Sequence, residues 1–434
     1  MTSTQDKAGR PIVVVTGMGI VTSLGAGKAD NWARLTAGQS GIKTITRFPT
    51  EGLKTTIAGA VDFLPLEPFC STELGERLAE LAIDEAIAQA GVGRGTFPGP
   101  LFLAVAPVEF EWHHREAFAA AAAAAATAAG AGANGAVDYD ALLRAAASGR
   151  FRALHERCVV GSVAENLSER FGTQGSPISL STACASGTTA IQLGVEAIRR
   201  GETEAALCVG TDASVNPEAL IRFSLLSALS TQNDPPQAAA KPFSKNRDGF
   251  VMAEGAGALV LESLAAAQAR GAKILGVIEG CGEMADSFHR TRSSPDGKPI
   301  IGCMRNAIED AGRHPDEIDY INPHGTGTPE NDKMEHVGAA AVFGERAKEV
   351  PISSNKSMIG HTLSAAGAVE AIFTLLTLEH QRLPPTINYV VPDPAIPLDV
   401  VPNVARDARV RCALSNSFGF GGQNVSLVMS REPA

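Results

Sequence analysis

The segment Pro177-Ile-Ser-Leu-Ser-Thr-Ala-Cys184-Ala-Ser-Gly-Thr-Thr-Ala190, running on to Ile198-Arg-Arg-Gly201, reads as a short buried strand, a tight turn and a helix. Ile178 and Leu180 alternate with small polar residues. After the turn Ile191, Val195 and Ile198 recur at helical spacing, and Gly201 supplies a stop. Cys184 therefore falls at a helix N-terminus, where unpaired backbone N–H groups and the macrodipole favour negative charge. That position predicts a lowered thiol pKa. The small neighbours Ala183, Ala185, Ser186 and Gly187 would let a substrate carbonyl approach. Taken alone, the stretch fits a nucleophile and a buried structural thiol equally well.

Outward from this stretch, strands and helices alternate. Ile12-Val-Val-Val15 is a β-branched run of the kind buried on both faces of a sheet. Gly17-Met-Gly19 follows it, but residue 22, where a dinucleotide fingerprint needs a third glycine, is Thr. A glycine-rich turn between strand and helix is the better reading. Leu101–Val105, Ala205–Gly210 and Ala256–Glu262 read as further strands, and Leu264–Arg270 as a helix closed by Gly271. A second series then begins. Strands are expected at Ile274–Gly280, Ile318–Asn322, Val350–Ser354, Cys412–Ser415 and Val425–Met429, and helices at Ile301–Ala311 and Ala365–Leu378. Two similar series imply an α/β fold made of a duplicated unit, with an N-terminal half over 1–270 and a C-terminal half over 271–434. Residue identity between them is slight, so the duplication is one of pattern.

Leu101 to Arg170 is the least regular part. It contains Glu111-Trp-His-His-Arg-Glu116, an alanine run, the Gly130–Gly135 stretch and a polar helical stretch from Asp138. It reads as an inserted helical hairpin or irregular excursion over about 108–170. His113 and His114 are adjacent, so on a helix they should point apart on a solvated face rather than bind a metal.

Composition narrows the functional class. The formal charge is −10 and aromatics make up 5%, with no Lys/Arg-rich run, which argues against a nucleic-acid partner. No run approaches the roughly 18 apolar residues of a membrane span, and the N-terminus lacks a signal-like apolar stretch. The seven cysteines show no zinc or iron–sulfur spacing, and their odd number suits reduced thiols in a cytoplasmic protein. The expected site needs neither metal nor cofactor.

Four loops at strand ends carry reactive or glycine-rich residues: those around Cys184, His324, His361 and Gly419-Phe-Gly-Gly422. Each histidine is flanked by glycine and small polar residues, unlike a packed core histidine, although a satisfied or surface role also fits either one alone. A thiol with two histidines suits acyl transfer on a thioester. The thiol takes the acyl group covalently, and neutral imidazoles donate N–H to a developing oxyanion or move a proton. Phe420 sits among glycines, so its amide can face an oxyanion without obstruction. Lys356 and Glu335 are candidates to hold charge and tautomer from behind. No Gly-x-Ser-x-Gly is present, which disfavours a serine hydrolase.

Thr182-Ala-Cys184-Ala-Ser-Gly, His324-Gly-Thr-Gly-Thr, Lys356-Ser-Met-Ile-Gly-His361 and Asn416-Ser-Phe-Gly-Phe-Gly-Gly422 occur in that order. Together they resemble the β-ketoacyl-acyl-carrier-protein synthases, most closely the FabF-type (KAS II-like) condensing enzymes. The resemblance covers Pro11 to about Arg431, with a gap from about Val108 to Arg170. It implies the thiolase fold, two halves stacked as five αβαβα layers, and a homodimer. It implies a ping-pong decarboxylative condensation in fatty acid biosynthesis, with acyl and malonyl forms of acyl-carrier protein as partners and a two-carbon extension. By the same resemblance Cys184 is the nucleophile, His324 and His361 assist decarboxylation, and Lys356 and Glu335 support the pair. The amides of Cys184 and Phe420 form the oxyanion hole. Phe420 and Phe223 are gates, and Thr326, Thr328 and Gly421 meet the substrate arm. Pro323 stands where the family usually has alanine, and Gly327 where it has serine. The chain also resembles a bacterial subgroup that makes very long acyl chains for lipid A. The same motifs fit a polyketide ketosynthase. A non-catalytic chain-length-factor-like partner shares the fold but lacks the active cysteine.

Overall fold

The computed structural model describes residues 3–107, 110–128 and 138–432; the Gly130–Gly135 part of the expected excursion lies outside them. The main strands are β1 (Val13–Thr22), β2 (Leu101–Val105), β3 (Ile178–Leu180), β4 (Ala205–Asp212), β5 (Gly255–Ser263), β6 (Gly276–Ala285), β7 (Tyr320–Asn322), β8 (Cys412–Phe418) and β9 (Gln423–Ser430). They form one mixed sheet path in the order β7-β8-β9-β6-β1-β5-β4-β2-β3.

From the centre outward, its two arms repeat. β1 pairs antiparallel with β5, β5 antiparallel with β4, and β4 parallel with β2, which pairs parallel with β3. In the other arm β6 pairs antiparallel with β9, β9 antiparallel with β8, and β8 parallel with β7, which carries a parallel bridge from Ile321 to Ile352. The arms meet where Val13, Val14 and Val15 pair antiparallel with Ile278, Val277 and Gly276.

The helices that build the layers and the site are α1 (Ser71–Ala90), α2 (Trp112–Ala128), α3 (Tyr139–Ala147), α4 (Ser162–Phe171), α5 (Ser186–Arg199), α6 (Pro217–Leu225), α7 (Lys298–Asp310), α8 (Pro329–Phe343), α9 (Lys356–Ile359) and α10 (Ala366–His380). α5 and α10 lie between the arms, packing Ile191, Val195, Val369 and Ile372 against β1, β2, β8 and β9. α1 and α4 cover the outer face of one arm, and α7 and α8 that of the other. The result is the expected five-layered helix–sheet arrangement. α10 is buried from Ala366 to Leu378, as its largely apolar sequence, broken by the single charge of Glu370, requires. α2 and α3 pack as a helical hairpin on buried Ala122, Ala126, Ala141 and Ala145.

Several local expectations are corrected. Gly17 and Gly19 are not in a turn but inside β1, which runs on to Thr22. An added Cβ at either would overlap a carbonyl oxygen of α1, at Ala86 and Ala82 respectively. They are glycine so that the helix can sit directly on the strand. Val350–Ser354 forms a single bridge at Ile352 rather than a strand. Pro351 accepts from Ile321 N but has no N–H of its own to extend the ladder. The strand from Cys412 continues through Asn416 to Phe418, so half of the expected loop motif is sheet. The rings of His113 and His114 do not point apart; their centroids are 3.9 Å from one another.

Candidate active site

Cys184 follows β3 and precedes α5 by one residue. The turn is tight enough to place Ala183 at φ +49°, in the left-handed region. Ser186 braces it: its hydroxyl accepts from Thr182 N and donates to the Ala183 carbonyl. The thiol is buried, and burial pushes its pKa up to about 11, against the pull of the Lys356 charge and of the Phe420 amide, which donates to the sulfur. Against the expectation of a lowered pKa, desolvation outweighs the Lys356 charge and the Phe420 amide.

His324 follows β7 through Pro323. Its backbone N–H donates to Glu335 Oε1 at 2.8 Å, and the next N–H, of Gly325, donates to Glu335 Oε2. Glu335, on α8, thus fixes the loop's backbone rather than a ring nitrogen. Burial pushes its carboxyl up to about 7. Lys356, on α9, donates to the His324 carbonyl at 2.6 Å and pairs with Glu370 of α10. Glu370 is raised to about 7, again by burial first. Its other oxygen has no partner among the described residues.

His361 is threaded through the main chain of residues 251–253. Its N–H donates to Val251 O at 2.7 Å, and its carbonyl accepts from Ala253 N at 2.9 Å. Its ring meets those of His324 and Phe250 edge-on, each at 5.1 Å between centroids. Both imidazoles are held well below the ordinary histidine range, by burial and then by the Lys356 charge. They are therefore neutral at neutral pH. Among the described residues neither ring nitrogen of His361 has a protein partner, nor has Nδ1 of His324. The Cys184 sulfur and one nitrogen from each ring lie within 4.8 Å of one another.

These groups open into a cavity of about 70 Å³, also lined by Thr326, Thr328 and Phe420. The two threonine hydroxyls are 3.0 Å apart, and Thr328 caps α8. Arg290 and Arg292 stand at the same cavity. Gly421 turns away, since its amide donates to the Arg290 carbonyl at 2.7 Å. Phe223, on α6, stacks edge-on with Phe250 at 5.4 Å. An apolar cluster of Leu220, Phe223, Phe250, Leu363 and Phe420 surrounds the sulfur. All the candidate residues except Gly421 are thus brought to one place, some directly and some one layer behind.

Three participants escape the motif reading. Glu370 is the acid that pairs with Lys356; its signal is a lone charge inside an apolar helix. Phe250 joins His361 to Phe223, and only its neighbour Gly249 hints at a turn. Asp212, at the end of β4, accepts from the Ser364 and Ser214 amides, and burial raises it to about 6.

Comparison with known proteins shows the family. The model for the N-terminal domain of beta-ketoacyl synthases matches residues 10–69 and 110–267, and the model for their C-terminal domain matches residues 275–390. The 3-oxoacyl-[acyl-carrier-protein] synthase 2 of Coxiella burnetii is 36% identical over 428 residues, 96% of this chain and 98% of that protein. The tetracenomycin polyketide synthase ketoacyl synthase alpha subunit of Streptomyces glaucescens is also 36% identical over 428 residues, 96% of this chain and 97% of that one. Among solved structures, a ketosynthase complex with its type II polyketide acyl-carrier protein, bound to a hexaketide, matches with a TM-score of 0.81 and 30% identity, over 98% of this chain and 100% of that one. A beta-ketoacyl synthase from Burkholderia phymatum matches with a TM-score of 0.80 and 32% identity, over 97% and 100% of the two chains. With the thiolase fold, the buried thiol and both halves of the family model in place, the chain belongs to the beta-ketoacyl synthases, the acyltransferases that act as condensing enzymes.

Proposed function

We propose that this chain extends a fatty acyl group by two carbons, through decarboxylative condensation of an acyl thioester held on Cys184 with malonyl-acyl-carrier protein. The observation that carries the reading is the convergence of one neutral thiol, two neutral imidazoles and the Phe420 amide on a single buried cavity. The carrier's acyl thioester enters past Thr326 and Thr328. The Cys184 sulfur attacks its carbonyl, and the Cys184 and Phe420 amides hold the oxyanion. A neutral imidazole takes the thiol proton and returns it to the departing carrier thiol, so the proton count closes. The malonyl carrier then binds and loses CO₂. His324 and His361, kept neutral by burial, donate N–H to the enolate oxygen. The enolate carbon attacks the Cys184 thioester, and expulsion of the sulfur with uptake of one proton restores the free thiol. Lys356, Glu335 and Glu370 touch no substrate and act as positioning residues for the His324 loop.

The carrier protein as partner and a homodimer belong to the same proposal. The β3 edge is exposed at Ile178, beside Val159 and Val160, also exposed, an apolar edge suited to a second copy. So does the division of the chain near Gly271. A polyketide-type ketosynthase is the second reading, favoured by the equal identity to the tetracenomycin alpha subunit.

Intact mass after incubation with acyl-carrier proteins of graded chain length tests the reading. An acyl adduct on the wild type that is absent from Cys184→Ala supports condensation through this thiol, and absence at every length refutes it. Turnover of simple acyl groups into products two carbons longer favours the fatty acid role. Adducts of polyketide chains alone favour the other.

A further inference from the structure

Glu111, just before α2, and His113 and His114 in the first turn of α2 form a second group of ligating side chains, away from Cys184. Glu111 is only 5% exposed. Its Oε1 accepts from the Ser71 amide at the start of α1, while Oε2 has no hydrogen-bond partner among the described residues. His113 Nδ1 lies 3.9 Å from that free oxygen. His114 Nδ1 is buried and also lacks a partner among the described residues. One ligand atom from each of the three residues lies within 4.8 Å of the others. Glu218 on α6, whose two carboxylate oxygens are also buried without partners among the described residues, acts electrostatically on Glu111. Arg47, whose charge also acts on Glu111, is engaged by both oxygens of Glu254. A buried carboxylate oxygen and a buried imidazole nitrogen without partners are costly unless something meets both.

We propose that Glu111, His113 and His114 form a binding site for a divalent transition metal of the zinc class. One carboxylate and two imidazoles are a borderline-soft ligand set suited to zinc, and too rich in nitrogen for calcium or magnesium. Three ligands leave a coordination position open to solvent on the exposed His113 side. Bound there, the ion would tie the first turn of α2 to the N-terminus of α1 through the two oxygens of Glu111. The inserted hairpin would then be held by coordination as well as by its alanine packing.

The Cys184, His324 and His361 atoms are themselves close enough to take zinc, so the test removes the thiol first. Zinc chloride is titrated calorimetrically into full-length Cys184→Ala protein, and retained zinc is counted after dialysis. One equivalent per chain is expected. Glu111→Gln, which keeps shape and removes the anionic ligand, and the double variant His113→Ala/His114→Ala should each weaken it by more than the roughly 10–100-fold that loss of an outer-shell partner costs. Metal-free thermal midpoints of the variants confirm that they fold. No zinc on Cys184→Ala, or equal zinc on folded variants, overturns the proposal.

Discussion

The two arms of the sheet meet their outer helices by the same device and end in different chemistry. In β1 the pairing with β5 slips at Thr16, and Gly17 and Gly19 then admit Ala86 and Ala82 of α1. In β6 the pairing with β9 slips at Glu279, and Gly280 and Gly282 admit Ala307 and Cys303 of α7. A bulge followed by two side-chain-free positions therefore builds both joints. The loops diverge. Beyond the outermost parallel position one arm presents Cys184 and the other His361; beyond the next strand inward, one presents Glu111, His113 and His114 and the other His324. Geometry is held in the strand–helix joints, while reactivity is free to differ in the loops they carry.

Measurements on matched positions sharpen this contrast. The largest effect is expected at the thiol. With its pKa near 11, alkylation of Cys184 in the free enzyme by iodoacetamide should climb about tenfold per pH unit through pH 9, because the reactive thiolate is the minor form. Mass spectrometry follows the adduct, and a plateau below pH 8 would mean that the helix terminus wins after all. The imidazole loop makes the opposite demand. His324 and His361 have depressed pKa values, so the stability they contribute is present above the unfolded value of about 6.5 and is lost as pH falls below it. His361→Gln should flatten the acid limb of a urea-midpoint profile between pH 7 and 5.

Next in size is the buried pair behind His324. Lys356→Met leaves Glu370 without its cation and should cost about 3–5 kcal/mol in urea unfolding, much of it restored by Lys356→Met/Glu370→Leu. Gly19→Ala and Gly282→Ala should each cost about 1–3 kcal/mol through overpacking. Similar costs would establish the two joints as equivalent, and a large imbalance would break the comparison. The smallest effects are at the helix caps. Asn216→Ala on α6 and Thr328→Ala on α8 should each lose about 1 kcal/mol.

The thiol and both imidazoles were legible because each sits in a local pattern, a strand followed by small residues and glycine. Alternation alone also reveals the duplicated framework. Gly17-Met-Gly19 misleads because a strand needing room for a helix and a turn needing left-handed backbone use the same residue. Pro351 hides a lost strand for a related reason: the β-branched neighbours set the propensity, while one missing N–H decides the ladder. Glu370 and Phe250 stay hidden because their roles arise from contacts across the fold. The thiol's acidity was misjudged because a helix terminus can be read locally, whereas burial depends on residues as distant as Phe250 and Phe420.

The buried, protonated state of Cys184 has a consequence for durability. Peroxide oxidises thiolates, and the first step on the path to sulfenic and sulfinic acids depends on ionisation and access. A nucleophile that rests as a neutral thiol inside an apolar cluster presents little of the ionised form between turnovers. The desolvation that makes its proton hard to remove therefore also keeps an idle enzyme from being spent by oxidants before its acyl donor arrives.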